Sequence, residues 1–160
     1  MSKENYIFLK KQFAAYETVY SKTNDCVEII NPFSKDNIMV EYIPEDEFTP
    51  YLCQFSFQHR HFKSEKEVID YINDIMNQNV YAIEFFKDGE KRFGGDITVQ
   101  ELNELSYVFL EQRTGYYGEI KLKDIADSFK IRGWNPCNNL DVTLHCDKSG
   151  NISLVKTMPK

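Results

Sequence analysis

The longest alternating segment of the chain is Glu47-Phe-Thr-Pro-Tyr-Leu-Cys-Gln-Phe-Ser-Phe-Gln-His-Arg-His-Phe62. From Tyr51 to His61, its odd-numbered residues are aromatic residues, one cysteine and two histidines, and most even-numbered residues are polar. Side chains on a β-strand point alternately to opposite faces, so this pattern predicts one long strand with a single apolar face. That face ends in His59 and His61, so the predicted strand leads from a core to a candidate site.

Three helices are predicted around this strand. Aromatic and leucine residues at three- and four-residue steps predict an amphipathic helix over residues 3–22. Ser64 with Glu67, and Thr98 with Glu101, have the spacing of a capping box, which marks the start of a helix. The second and third helices are therefore predicted over residues 64–79 and 98–114, and residues 116–127 are predicted as an irregular crossover.

The other strands are predicted from short alternating runs that lie between turn signals. The Asp88-Gly89 pair is typical of a two-residue hairpin turn. The runs cover residues 27–30, 38–43, 80–86, 129–132, 140–146 and 152–155. These strands come in hairpin-like groups separated by single helices. We therefore predict a single α+β domain over residues 1–160, with a mainly antiparallel sheet and about three helices packed mostly on one face.

The composition limits the classes of function. With 42% hydrophobic residues, the 160-residue chain has enough apolar side chains for a core. Its four cysteines are widely spaced, and its N-terminus lacks a basic segment followed by an apolar run, so we expect a cytoplasmic protein. No segment approaches the length of a membrane-spanning helix. The net charge of −6 argues against nucleic-acid binding and favours a cationic partner.

The two histidines are candidate metal ligands. Two residues apart on a strand, they could share a metal ion if a neighbouring strand supplied a third ligand. A carboxylate beside His59 would instead form the acid–base pair of an enzyme. The other interpretation of His59 and His61 is two half-buried histidines at a strand end with no metal. The sequence predicts no cofactor and no catalytic nucleophile. The third-ligand candidates are Glu65, Glu84, Asp96 and His145, of which Glu84 is the one we predict.

A second candidate site is a surface for a protein partner. Glu67, Asp70 and Asp74 recur at three- and four-residue steps, so they form an acidic stripe on the second predicted helix. This stripe is either a solvated helix face or a surface that attracts a basic partner. Large aromatic side chains beside glycines are candidate anchors for the same partner, although one of them, the tryptophan, could instead close an end of the core. These aromatic candidates are Tyr116, Tyr117 and Trp134.

Three aromatic-rich segments resemble small cytoplasmic proteins of Gram-positive bacteria. The segments are Phe55-Ser-Phe-Gln-His-Arg-His-Phe62, Val68-Ile-Asp-Tyr-Ile72 and Ala82-Ile-Glu-Phe-Phe-Lys-Asp-Gly89. Some of the proteins they resemble are similar in size and acidity to the immunity proteins of polymorphic toxin systems. The resemblance covers residues 48–95 and carries over no functional residue. It implies a bacterial accessory or inhibitor-like protein.

These observations favour a non-enzymatic cytoplasmic protein-binding domain. In this interpretation the chain is an immunity or inhibitor protein, and its acidic and aromatic surface blocks a basic toxin. The alternative is a metal-dependent or acid–base enzyme that uses His59 and His61 with a neighbouring carboxylate. A structural subunit of a larger assembly is a third possibility, and the sequence predicts no oligomeric state.

Overall fold

The described chain forms two antiparallel sheets of five strands each, seen in a computed structural model that describes residues 6–23, 25–114 and 121–159. The first sheet has the order β1-β2-β3-β4-β5, with β1 Thr18–Ser21, β2 Cys26–Ile29, β3 Ile38–Tyr42, β4 Tyr51–Phe55 and β5 Gln58–Phe62. The second has the order β10-β9-β8-β6-β7, with β6 Val80–Lys87, β7 Glu90–Thr98, β8 Ser128–Arg132, β9 Leu140–Cys146 and β10 Ile152–Thr157. The α-helices are α1 Ile7–Gln12, α2 Glu65–Met76, α3 Val99–Asn103, α4 Tyr107–Thr114 and α5 Leu122–Ile125.

The α+β class and the antiparallel pairing are confirmed, but the strands form two sheets rather than one, and the helix number is wrong. The described residues contain five α-helices rather than about three. The predicted third helix divides because the Ser106 hydroxyl accepts a hydrogen bond from the backbone N–H of Phe109 at 3.1 Å and begins a new helix. A further short helix, α5, lies in the predicted crossover. None of the described helices is both long and apolar enough to cross a membrane.

The first predicted helix is also shorter than expected. Within the described part of that segment only α1 is α-helical, and Thr18 to Ser21 instead form β1, which pairs with β2 from Thr18 opposite Ile29 to Ser21 opposite Cys26. The β-branched and aromatic residues of this segment favour a strand once a partner strand is available. That the whole of residues 1–160 forms a single domain stays a prediction.

The prediction of one long strand is wrong, because this segment forms a hairpin of β4 and β5. Phe55 pairs with Gln58, so Ser56 and Phe57 form a two-residue turn, and Ser56 has a φ of 53°. His59 lies opposite Gln54, and His61 lies opposite Leu52. Directly paired residues share a face of an antiparallel sheet. Both histidines therefore lie on the face away from the buried residues Cys53 and Phe55, not on their face as the alternation predicted.

Two clusters of buried side chains form the core. The first joins α1 and α2 to the first sheet, and the second joins α4 and α5 to the second sheet. Strand β6 contributes to both, because Ala82 belongs to the first cluster, whereas Tyr81, Ile83 and Phe85 belong to the second. The alternation predicted for this strand thus places its two faces in different environments.

Candidate partner-binding groove

Helix α2 begins at a cap that the sequence predicts. The Ser64 hydroxyl accepts a hydrogen bond from the backbone N–H of Glu67 at 3.3 Å, and the Glu67 carboxylate accepts one from the backbone N–H of Lys63 at 2.8 Å. The apolar face of the helix is fully buried through Val68, Ile72 and Ile75. Because this face is fixed against the core, the acidic residues of the helix are held on the other side.

A groove of about 430 Å³ runs between β5 and this acidic side of α2. It brings together the predicted acidic stripe and His61, one of the predicted metal ligands. It does not include His59 among its lining residues. The lining residues are Thr49, Arg60, His61, Phe62, Lys63, Glu67, Asp70, Tyr71 and Asp74.

Arg60 is the fixed cation of the groove. Its Nη1 lies 2.9 Å from Oδ2 of Asp96 on β7, and its guanidinium lies 5.7 Å from the ring centroid of Phe62 and 5.2 Å from that of Tyr71. Burial, and then the charge of Asp96, raise the pKa of the Tyr71 hydroxyl. The hydroxyl therefore keeps its proton at physiological pH and can donate a hydrogen bond. Arg60 is therefore held by an ion pair and two rings, and its charge is largely offset by Asp96.

An acidic loop adjoins the groove. Asp46 accepts hydrogen bonds from the Thr49 hydroxyl at 2.6 Å and from the backbone N–H groups of Thr49 at 2.9 Å and Phe48 at 3.1 Å. These bonds, the Thr49 hydroxyl first, hold the pKa of Asp46 below its ordinary value, and His61 adds to the effect. The Asp46 carboxylate lies 3.8 Å from Nδ1 of His61. The loop therefore has a fixed conformation beside the groove.

The same loop presents the most exposed large apolar side chain of the described residues. Phe48 is 81% exposed, between the exposed Glu47 and the half-buried Thr49. The loop borders an open depression of about 530 Å³, which is lined by Ile43, Glu45, Asp46, Glu47 and Phe48. Sequence reasoning did not select Phe48. The sequence feature that indicates Phe48 is its position in a turn after three successive acidic residues, where a large apolar side chain has no predicted place in the core.

The predicted metal ligands are only partly brought together. The rings of His59 and His61 have centroids 5.8 Å apart. Glu84 lies on β6 in the other sheet, is 1% exposed, and its Oε1 is 2.7 Å from Nζ of Lys91. Its other carboxylate oxygen is buried, and none of the described residues offers it a hydrogen bond. Across the described ranges, no three His, Cys, Asp or Glu side chains are placed to hold a metal ion.

The aromatic partner-binding candidates have different outcomes. Tyr116 and Tyr117 lie outside the described residues. Trp134 is 2% exposed, and its ring centroid lies 5.9 Å from that of Tyr16 and 6.2 Å from that of Phe55. This position corresponds to the alternative interpretation, in which the tryptophan closes the core. A side chain so deeply buried is not accessible to a partner.

Comparison of the chain with protein families, curated proteins and solved structures gives no match. The groove and the acidic loop are therefore interpreted from their own geometry. They offer carboxylates, one exposed aromatic ring and a loop backbone that Asp46 holds by hydrogen bonds.

Proposed function

We propose that this chain is a non-enzymatic cytoplasmic protein-binding domain whose groove and acidic loop dock a basic partner. The observation that carries the proposal is the meeting of two acidic clusters that are separate in sequence. The loop contributes Glu45, Asp46 and Glu47, and α2 contributes Glu67, Asp70 and Asp74, with His61 between them.

The excess of negative charge at this surface lies on the loop, because Arg60 and Lys63 line the groove beside its carboxylates. Some of its carboxylates are already engaged, since Asp70 pairs with Lys66 and Asp74 accepts a hydrogen bond from Asn79 at 3.2 Å. Glu45 and Glu47 are exposed on the loop, and no ion-pair partner for them occurs in the part of the chain that the structure describes. Unpaired surface carboxylates steer a cationic partner and accelerate its association, and the effect weakens as salt increases.

Phe48 supplies the apolar part of the proposed interface. Interfaces combine an anchoring aromatic side chain with a polar rim, and the anchor contributes much of the binding energy. The backbone around Phe48 needs little ordering on binding, because Asp46 already holds it by hydrogen bonds. In the proposed immunity or inhibitor role, this ring enters a pocket of a basic toxin while the surrounding carboxylates pair with its Lys and Arg residues.

The test is co-expression with the products of the adjacent genes, followed by binding measurements on any product that is neutralised. We expect Asp70→Lys/Asp74→Lys to weaken binding about tenfold or more and to reduce its dependence on salt, because the acidic side of the groove is reversed. Glu90→Lys/Glu104→Lys is the matched control, since it makes the same change of net charge at exposed sites that do not line the groove.

The aromatic contribution is tested in the same assay. Phe48→Ala is expected to weaken binding by at least about tenfold, the loss typical of an interface anchor. Phe33→Ala is its control, because Phe33 is 55% exposed and lies on the loop between β2 and β3. Equal losses for the groove and control variants, or the absence of any neutralised product among the adjacent genes, would contradict the proposal.

A further inference from the structure

His59 and His61 lie side by side on β5, on the face away from the buried residues of the first sheet. Both residues are exposed, and their ring centroids are 5.8 Å apart at an interplanar angle of 76°. Two imidazoles that bind one tetrahedral zinc ion hold their ring centres about 5 Å apart, because each Zn–N bond is about 2.1 Å long. A small rotation of either ring therefore brings one nitrogen of each histidine to the same ion.

The charges around the two rings favour a cation. The Asp46 carboxylate lies 3.8 Å from Nδ1 of His61, and the glutamates on either side of Asp46 in the acidic loop are exposed. Arg60 stands between the histidines in sequence, but its side chain lies on the opposite face of β5 and pairs with Asp96. Carboxylates near the rings raise the local concentration of metal cations, and Arg60 does not oppose them on that face.

Asp46 is also placed to orient one of the rings. A metal-bound histidine commonly donates the N–H of its other ring nitrogen to a carboxylate, which fixes its tautomer and its orientation. The Asp46 carboxylate is next to Nδ1 of His61, so it favours a proton on Nδ1 and leaves Nε2 for the metal. Hydrogen bonds from the Thr49 hydroxyl at 2.6 Å and from the backbone N–H of Phe48 at 3.1 Å hold the carboxylate in this place.

We propose that His59 and His61 bind one Zn²⁺ or Cu²⁺ ion, with Asp46 as the carboxylate that orients His61. Imidazole nitrogen suits both ions, and Cu²⁺ generally binds more tightly than Zn²⁺. Among the residues that the structure describes, no third His, Cys, Asp or Glu completes the site, so Glu84 has no part in it. The ion keeps open positions, which water or a side chain of another molecule fills.

The test is calorimetric titration of the untagged, metal-free chain with Zn²⁺ and with Cu²⁺. We expect one ion per chain at the tightest site and a lower Kd for Cu²⁺. The chain has three histidines, and the third, His145, is exposed on β9 of the other sheet. His59→Asn and His61→Asn should each weaken binding at least about tenfold, whereas the matched control His145→Asn should leave the Kd nearly unchanged.

A second pair of variants separates the orienting role of Asp46 from its charge. Asp46→Asn should weaken binding about tenfold, the loss typical of a carboxylate that orients a metal ligand. Glu47→Gln removes the same charge from the same loop, and it should weaken binding less than about twofold, because exposed charges are screened by salt. Equal losses for these two variants would overturn the orienting role of Asp46.

Nuclear magnetic resonance provides a readout that does not depend on affinity. One equivalent of Zn²⁺ should shift the ring signals of His59 and His61 together and leave those of His145 in place. The substituted residues are exposed or half-buried, so the variants are expected to keep the fold, which circular dichroism will check. A wild-type chain that binds either ion no more tightly than His59→Asn/His61→Asn overturns the inference. These measurements use the chain alone, so they do not depend on the proposed docking of a basic partner.

Discussion

At the scale of single residues, Ser56 is a strained position in the turn between β4 and β5. Its φ of 53° lies in the left-handed region, and its buried hydroxyl has no hydrogen-bond partner within the described residues. A non-glycine residue costs about 1–2 kcal/mol in that region, and glycine adds about 0.5–1 kcal/mol of chain entropy. We predict that Ser56→Gly raises the free energy of unfolding by about 1 kcal/mol, measured by urea denaturation.

The control for this substitution is Ser149→Gly. Ser149 is exposed in another turn, and its φ is not positive, so glycine there should lower the free energy of unfolding by a few tenths to about 1 kcal/mol. If Ser56→Gly also destabilises the protein, the positive φ of Ser56 does not strain the turn between β4 and β5.

Single residues also explain which turns could be predicted. Asp88 and Gly89 both have positive φ, and the Asp-Gly pair correctly predicts the hairpin between β6 and β7. The turn between β4 and β5 needs a positive φ at its first central residue, where glycine is usual, but the sequence has Ser56. The alternation continues through Ser56 and Phe57 without a turn signal, so the sequence pattern could not show the reversal that moves both histidines to the other face.

At the scale of elements, β6 and β7 are joined by an ion pair between the buried carboxylate of Glu84 and the half-exposed side chain of Lys91. Glu84 is 1% exposed, and Nζ of Lys91 lies 2.7 Å from its carboxylate. Removing the cation leaves a buried charge without its partner, a change that costs about 3 kcal/mol. We therefore predict that Lys91→Ala lowers the free energy of unfolding by about 3 kcal/mol in urea denaturation, and that adding Glu84→Gln recovers part of the loss.

Arg92→Ala is the matched control on the same strand. Arg92 lies 3.5 Å from the exposed Glu90, and such surface pairs contribute about 0–1 kcal/mol. A loss below about 1 kcal/mol for Lys91→Ala would mean that water or a rearrangement satisfies Glu84 in place of Lys91.

The sequence predicts individual residues of the candidate site but not which of them lie close together. The spacing of Glu67, Asp70 and Asp74 locates the acidic side of α2, because helical periodicity is a local property of the sequence. The proximity of Asp46 to His61 depends on the pairing of β4 with β5, which joins residues distant in sequence. The prediction of Glu84 as a metal ligand requires its strand to neighbour the strand of the histidines, and the strand order places it in the other sheet.

At the scale of the whole molecule, stability should be highest near neutral pH. Asp127 accepts a hydrogen bond from the backbone N–H of Asp88 at 2.7 Å, which lowers its pKa, and the side chain of Asn151 lowers that of Asp147. The unfolded chain then binds more protons in acid, so this stabilisation is present above a pH of about 4 and is lost as the pH falls further. Burial has the opposite effect on other groups, since it raises the pKa of Tyr51 and of Cys53 to about 12.

Tyr51 and Cys53 keep their protons in the folded state at pH values where the unfolded chain has lost them. Their contribution to stability is complete at neutral pH and falls as the pH rises above about 9 to 10. Asp127→Asn keeps a hydrogen-bond acceptor but does not titrate, so it should reduce the acid loss of stability and leave the alkaline loss unchanged. Tyr51→Phe should do the reverse, so each variant is the control for the other. The measurement is the free energy of unfolding in urea from about pH 3 to 11, and an acid loss that is unchanged in Asp127→Asn would show that the Asp127 bond to the β6–β7 turn does not stabilise the fold.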